Sequence, residues 1–173
     1  MKCCLIVVDY QNDFVAGTLG NAAAAALDEG IASRIRSARA EGWDVIFTLD
    51  THEEDYLSTR EGRYLPVPHC LRGTPGHALY GQTALERREE DPVFFKETFG
   101  SKGLFDYLRH NSYDAVELCG VVTNICVISN AVLAKTALPE ADVAVRAALC
   151  ASNGPALHQK ALDVMASFQI DIL

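Results

Sequence analysis

Six short runs of apolar, β-type residues punctuate this chain, and most are too continuous to be strands with one wet face. They lie at residues 5–9, 43–50, 93–95, 113–120, 141–147 and 168–172. A strand that alternates apolar and polar residues can sit half in water, whereas one that is apolar at consecutive positions needs cover on both faces. Segments with helical spacing, at residues 22–40, 104–110, 124–137 and 155–166, stand between the runs and can supply that cover. Asn124 suits a helix cap, Pro155 a first helical position and Gly42 a helix stop. The alternation predicts an α/β fold, an open parallel sheet with helices on both faces joined by right-handed crossovers. With 173 residues, about half of them apolar, the chain is expected to form one domain over residues 1–173.

One region breaks the alternation. Residues 51–75 are polar and rich in Pro and Gly, too long for an ordinary strand-to-helix connection, and read as a functional loop. The formal net charge of -8, with no cluster of Lys and Arg, argues against nucleic acid or a membrane surface as partner and for a small-molecule ligand. The apolar run before Asp9 is too short for a signal segment, and no stretch has the length to span a bilayer. A soluble, cytoplasmic protein is expected. Cys3, Cys4, Cys119 and Cys150 sit in or beside apolar runs and read as reduced core residues. No CxxC spacing occurs, which disfavours a zinc knuckle or a redox pair.

In doubly wound sheets, ligands bind beyond the carboxyl ends of the strands. Asp9 ends the first run, Asp50 ends the second, Lys96 follows the third, and Cys126 opens the helical pattern after the fourth. A thiol near a helix start is favoured as thiolate, the form that attacks carbonyl carbon, which makes Cys126 a candidate nucleophile. The alternative is a small buried hydrophobe. Asp9 and Lys96 could form a purely structural ion pair. With the thiol added, they become general base and electrostatic support, the ammonium keeping the carboxylate ionised and favouring the thiolate. A second set is Asp50, His52 and His69. Asp-x-His at a strand end points two side chains the same way, and a later loop histidine can complete three ligands for zinc, iron or manganese. Glu61 could add a fourth. Exposed loop histidines and a solvated glutamate are the competing reading.

Taken in order, Val7-Val8-Asp9-Tyr10-Gln11-Asn12-Asp13-Phe14, Asp50-Thr51-His52, Pro68-His69-Cys70-Leu71-Arg72-Gly73-Thr74-Pro75-Gly76, Phe95-Lys96-Glu97-Thr98-Phe99 and Gly120-Val121-Val122-Thr123-Asn124-Ile125-Cys126 form a specific set. The set resembles the isochorismatase-like cysteine hydrolases, most of all their nicotinamidase branch. The resemblance implies a six-stranded parallel sheet in a Rossmann-like three-layer fold, a catalytic triad of Asp9, Lys96 and Cys126, and a divalent metal on Asp50, His52 and His69. Glu61 occupies a position similar to an extra acidic ligand of some members. A cis peptide between Val121 and Val122 is also implied, with an oxyanion hole formed by the N–H groups of Val122 and Cys126. Phe14 is then a candidate to pack against a flat substrate. Nicotinamidases carry an aromatic residue shortly before the last metal histidine; here Tyr64 stands in that region, while the only tryptophan, Trp43, begins the second strand.

The implied reaction has Asp9 take the thiol proton, Cys126 attack an amide carbonyl, ammonia leave, and water hydrolyse the thioester. A small nicotinamide-like amide is the expected substrate, with carbamoyl or ureide amides as the alternative in the same superfamily. Isochorismate hydrolysis is disfavoured, because members with that activity lack both the cysteine and the metal set. From a different class, a non-catalytic receiver-like module would share the fold but gives no reason for Cys126 or for the histidines. Small α/β enzymes often self-associate, so a homo-oligomer is compatible with this reading.

Overall fold

The computed structural model describes residues 1–173. Strands β1 (Cys3–Val8), β2 (Asp44–Asp50), β3 (Val93–Lys96), β4 (Ala115–Val121), β5 (Asp142–Ala151) and β6 (Asp171–Ile172) form one sheet in the order β3-β2-β1-β4-β5-β6. Every neighbouring pair is parallel. The helices are α1 (Asn12–Val15), α2 (Ala22–Ala25), α3 (Asp28–Ala40), α4 (Arg60–Tyr64), α5 (Gly81–Glu86), α6 (Lys102–Asn111), α7 (Ile128–Ala137) and α8 (Pro155–Ser167). The expected α/β architecture is present. None of the helices is long and apolar enough to cross a membrane.

The continuity of the apolar runs has a direct cause in the two cores. Along β1, Cys4, Ile6 and Val8 enter one core, where they meet Leu104 and Leu108 of α6, Ala131 and Ala134 of α7, and Leu162 and Met165 of α8. Leu5 and Val7 enter the other, against Val15, Ala24, Ile31, Ile35 and Ala38 of α1 to α3. Each large side chain removed from water on either face contributes roughly 1.5–3 kcal/mol. The chain runs from β1 outward to β2 and β3, then crosses back to place β4 on the far side of β1. That reversal opens a crevice at the carboxyl ends of β1 and β4. Gly120 holds β4 close there. Its φ is +117°, and a Cβ would run into the Val8 backbone.

Several elements depart from the sequence reading. The helix expected over residues 22–40 is two helices, because Asn21 caps only the short α2 and the Asp28 carboxylate turns to accept from the backbone N–H groups of Gln82 and Thr83 at the start of α5. Asn124 caps nothing. It lies inside a π-turn, Thr123–Val127, that precedes α7, and it accepts a hydrogen bond from the Ser152 hydroxyl. The last strand shortens to Asp171–Ile172, since α8 runs on to Ser167. Residues 51–75 include α4 and a 3₁₀ turn at Tyr56–Ser58. Gly42 does stop α3 with φ +79°, and Pro155 opens α8.

A buried ion cluster pins the middle of the sheet. Glu117 of β4 accepts from Arg34 Nε of α3 at 2.8 Å and from Arg146 Nε of β5 at 2.7 Å. Burial alone would push its carboxyl up, but the bonds from Arg146 and Arg34 outweigh burial and hold it below the ordinary value. A carboxyl depressed in the folded state lends stability above its unfolded pKa, and that stability is lost as pH falls through the folded value. Glu117→Gln should therefore cost roughly 1–3 kcal/mol near neutrality, less than a fully buried pair because Arg146 is partly exposed. The deficit should shrink on acidification, as read from denaturant melts at several pH values.

Candidate active site

Four strand ends deliver four reactive side chains to one point. Asp9 follows β1 with φ +46°, Asp50 and Lys96 close β2 and β3 and are register partners, and Cys126 sits in the π-turn after β4. Lys96 Nζ is 2.6 Å from Asp9 Oδ2, 3.1 Å from Asp50 Oδ1 and 3.6 Å from Cys126 Sγ, and it donates to the Thr98 carbonyl at 3.0 Å. All four side chains are buried. The structural ion pair and the three-residue set considered from sequence are therefore the same object.

Burial, then Asp9 and Asp50, push the Cys126 thiol up, against the pull of the Lys96 ammonium. Burial and Asp50 also raise Asp9, against the pull of Lys96. The Lys96 ammonium is raised in turn, because Asp9, Cys126 and Asp50 outweigh its burial.

Beside this cluster lie the residues of the second set. Asp50 Oδ2 is 3.0 Å from His52 Nε2 and 3.3 Å from His69 Nε2, and Glu61 Oε1 is 3.8 and 3.7 Å from the same two nitrogens. Both histidines are buried, which rules out the exposed-loop reading. The four donor atoms lie within 4.8 Å of one another, and the four separations just given bracket the edge of roughly 3.3–3.6 Å that a tetrahedron has when its ligands are about 2.0–2.2 Å from the ion. Burial and the neighbouring Asp50 push Glu61 up, a crowding of carboxylates that a cation relieves. His69 Nδ1 can only donate to the Val67 carbonyl, 2.8 Å away, which fixes the ring with Nε2 facing Asp50 and Glu61.

The isochorismatase domain profile matches residues 3–172. The chain belongs to the isochorismatase family. It is 33% identical over 144 residues to the family protein PncA of Bacillus subtilis, covering 76% of this chain and 78% of that one. It is 32% identical over 139 residues to the nicotinamidase/pyrazinamidase of Mycobacterium tuberculosis, covering 71% and 73%. Among solved structures, the nicotinamidase/pyrazinamidase PncA of Bacillus subtilis superposes with a TM-score of 0.89 at 28% identity over 99% of both chains. The pyrazinamidase of Pyrococcus horikoshii, solved in complex with zinc, gives 0.87 at 28% identity over 100% of this chain and 99% of that one.

In this isochorismatase-family chain the remaining expected residues take different places. The Val121–Val122 peptide is cis. Phe14 is buried, with its ring 5.4 Å from that of His69. Tyr64 is 77% exposed under the Arg60 guanidinium, at the mouth of a cleft of about 980 Å³ that also reaches His52, Glu61, Thr98 and Phe99.

Sequence reasoning missed a supporting set. The Gln11 side chain donates to the Asp50 carbonyl and accepts from the Asp50 N–H, fixing the end of β2. Asp13 accepts from the Cys70 N–H and so anchors the residue after His69. Tyr56 packs its ring 4.7 Å from that of His52. Asn130, fully buried in α7, donates to the carbonyls of Cys126 and Phe99 and accepts from the Ser101 N–H, tying the turn that carries Cys126 to the loop after Lys96. Gln11 and Asp13 stand inside the Val7–Phe14 motif, and Asn130 is a polar residue inside the apolar helical pattern at residues 124–137.

Proposed function

We propose that this isochorismatase-family hydrolase is a cysteine amidohydrolase that cleaves a small amide of the nicotinamide type to its acid and ammonia. The observation that carries the reading is the buried cluster in which one ammonium, Lys96 Nζ, meets Asp9, Asp50 and Cys126. Asp9, raised by burial, acts as general base and takes the Sγ proton as Cys126 adds to the amide carbonyl. The negative charge then passes from Asp9 to sulfur and onward to the carbonyl oxygen. Lys96 faces an anion both before and after the transfer, so the step needs no rearrangement of the site. The N–H groups of Val122 and Cys126 receive the oxyanion. Asp9 returns its proton to the leaving nitrogen, ammonia departs, and Cys126 carries the acyl group as a thioester. A water deprotonated by Asp9 releases the acid and restores the thiol.

Asp50, His52, His69 and Glu61 would hold a divalent metal, zinc, iron or manganese. Once bound it supplies a Lewis-acid point that can hold a water or a heteroaromatic ring nitrogen. That the Pyrococcus horikoshii pyrazinamidase was solved in complex with zinc supports a metal in this reading. Phe14, beside His69, and Tyr64, at the cleft mouth, are the ring contacts. The cleft also presents Asp55 and Glu97, beside a Glu53 paired with Arg72, and only one cation, Arg60, among its lining side chains, which disfavours substrates carrying a carboxylate, as carbamoyl amino acids do. A neutral ring amide is favoured over the carbamoyl alternative, and the nicotinamidase names of the relatives point the same way.

Cys126→Ala should lower ammonia release at least about 10³-fold with the circular dichroism spectrum unchanged; activity within tenfold of wild type would contradict the mechanism. In a panel of nicotinamide, pyrazinamide, ureides and carbamoyl amino acids, the ring amides should give the highest kcat/KM. His52→Ala should lower bound metal by about tenfold or more in elemental analysis, and equal metal content would remove that site.

A further inference from the structure

Thr48 interrupts the apolar run Val45-Ile46-Phe47 in the middle of β2, and it is fully buried. A hydroxyl there is out of reach of water and needs a protein partner. Its partner is the base. Thr48 Oγ1 donates to Asp9 Oδ1 at 2.7 Å, and the Thr48 carbonyl accepts from the Asp9 N–H at 3.1 Å. One residue of the neighbouring strand thus clasps Asp9 at both backbone and carboxylate. The clasp matters because Asp9 sits at φ +46°, a region few non-glycine residues occupy.

A carboxylate turns over a broad range about its Cβ–Cγ bond, so sequence and backbone alone do not fix the plane it presents to the thiol. The Thr48 hydroxyl fixes that plane. It occupies Oδ1 and leaves Oδ2 to the Lys96 ammonium at 2.6 Å, which is itself 3.6 Å from Cys126 Sγ. We propose that Thr48 is a positioning residue, its hydroxyl aiming Asp9 so that Oδ2 takes the Cys126 proton. The proposal rests on the cysteine-hydrolase reading above. Protonation at Oδ2 leaves Oδ1 able to accept from Thr48, so the hydroxyl holds the base in both of its states. The other polar or charged groups facing Asp9 are Lys96 from β3, Asp50 from β2 and Cys126 from the π-turn.

Thr48→Val keeps the shape and removes the donor, while Thr48→Ser keeps the donor and trims the methyl. Three quantities are read on each: melting temperature, kcat and KM for ammonia release, and the rate of Cys126 alkylation by iodoacetamide followed by peptide mapping. Thr48→Val should lower kcat by about 10–100-fold with KM within about threefold, and should slow Cys126 alkylation by about tenfold. Thr48→Ser should keep both rates within about threefold of wild type. Wild-type rates in the Val variant, or a Ser variant as slow as Val, would overturn the role. If Thr48→Val does not fold, Thr48→Ala is judged by the same thresholds. A wild-type protein that releases no ammonia from any amide of the panel and shows no preferential labelling of Cys126 would sink the cysteine-hydrolase reading itself, and this proposal with it. An active wild type with a fully active Val variant sinks only Thr48.

Discussion

One buried ammonium organises this molecule. Lys96 Nζ lies out of water, and a charge so placed costs several kcal/mol unless anions and acceptors surround it. The carboxyl ends of three neighbouring parallel strands supply them: Asp9 from β1, Asp50 from β2, and the Thr98 carbonyl just beyond β3. Only the order β3-β2-β1-β4 brings those ends together with the turn that carries Cys126. The crossover from β3 back to β4 is thus as much a part of the site as the side chains are.

Asp50 joins two chemistries. Its Oδ1 faces Lys96 and the thiol, and its Oδ2 faces His52 and His69. Burial alone would raise this carboxyl, yet the bonds from the two histidines and the charge of Lys96 hold it well below the usual range. It stays anionic and serves both neighbours. The Cys126 cluster and the candidate metal donors are therefore one electrostatic unit, and a change at either is felt at the other through a single carboxylate.

Most of the scaffold was legible in the sequence because its signals are local. Continuous apolar runs such as Leu5-Ile6-Val7-Val8 mark strands covered on both faces, and charged residues at the ends of those runs mark the rim. The cluster could be proposed because strand ends in a parallel sheet share one edge. What escaped depends on tertiary geometry. Asn124 has the chemistry of a cap, but the π-turn draws it inside, toward Ser152. The helix over residues 22–40 breaks because Asp28 is claimed by α5, far along the chain. The balance at Cys126 likewise depends on charges counted in space, where burial and two carboxylates push the thiol up against one ammonium. Thr48, Gln11 and Asn130 act through hydrogen bonds to partners from 4 to 39 residues away, which no local pattern encodes.

The central claim is that the amide is broken by covalent attack from Cys126, with Asp9 and Lys96 managing the charge. Hydroxylamine partitioning tests it most directly, because a thioester can be intercepted by an added nucleophile and a direct attack of water on the amide cannot. The wild-type protein should convert an amide substrate into a mixture of acid and hydroxamate, with the hydroxamate share rising in step with hydroxylamine concentration. Formation of the free acid alone at every hydroxylamine concentration, with ammonia released at an unchanged rate, would contradict the account.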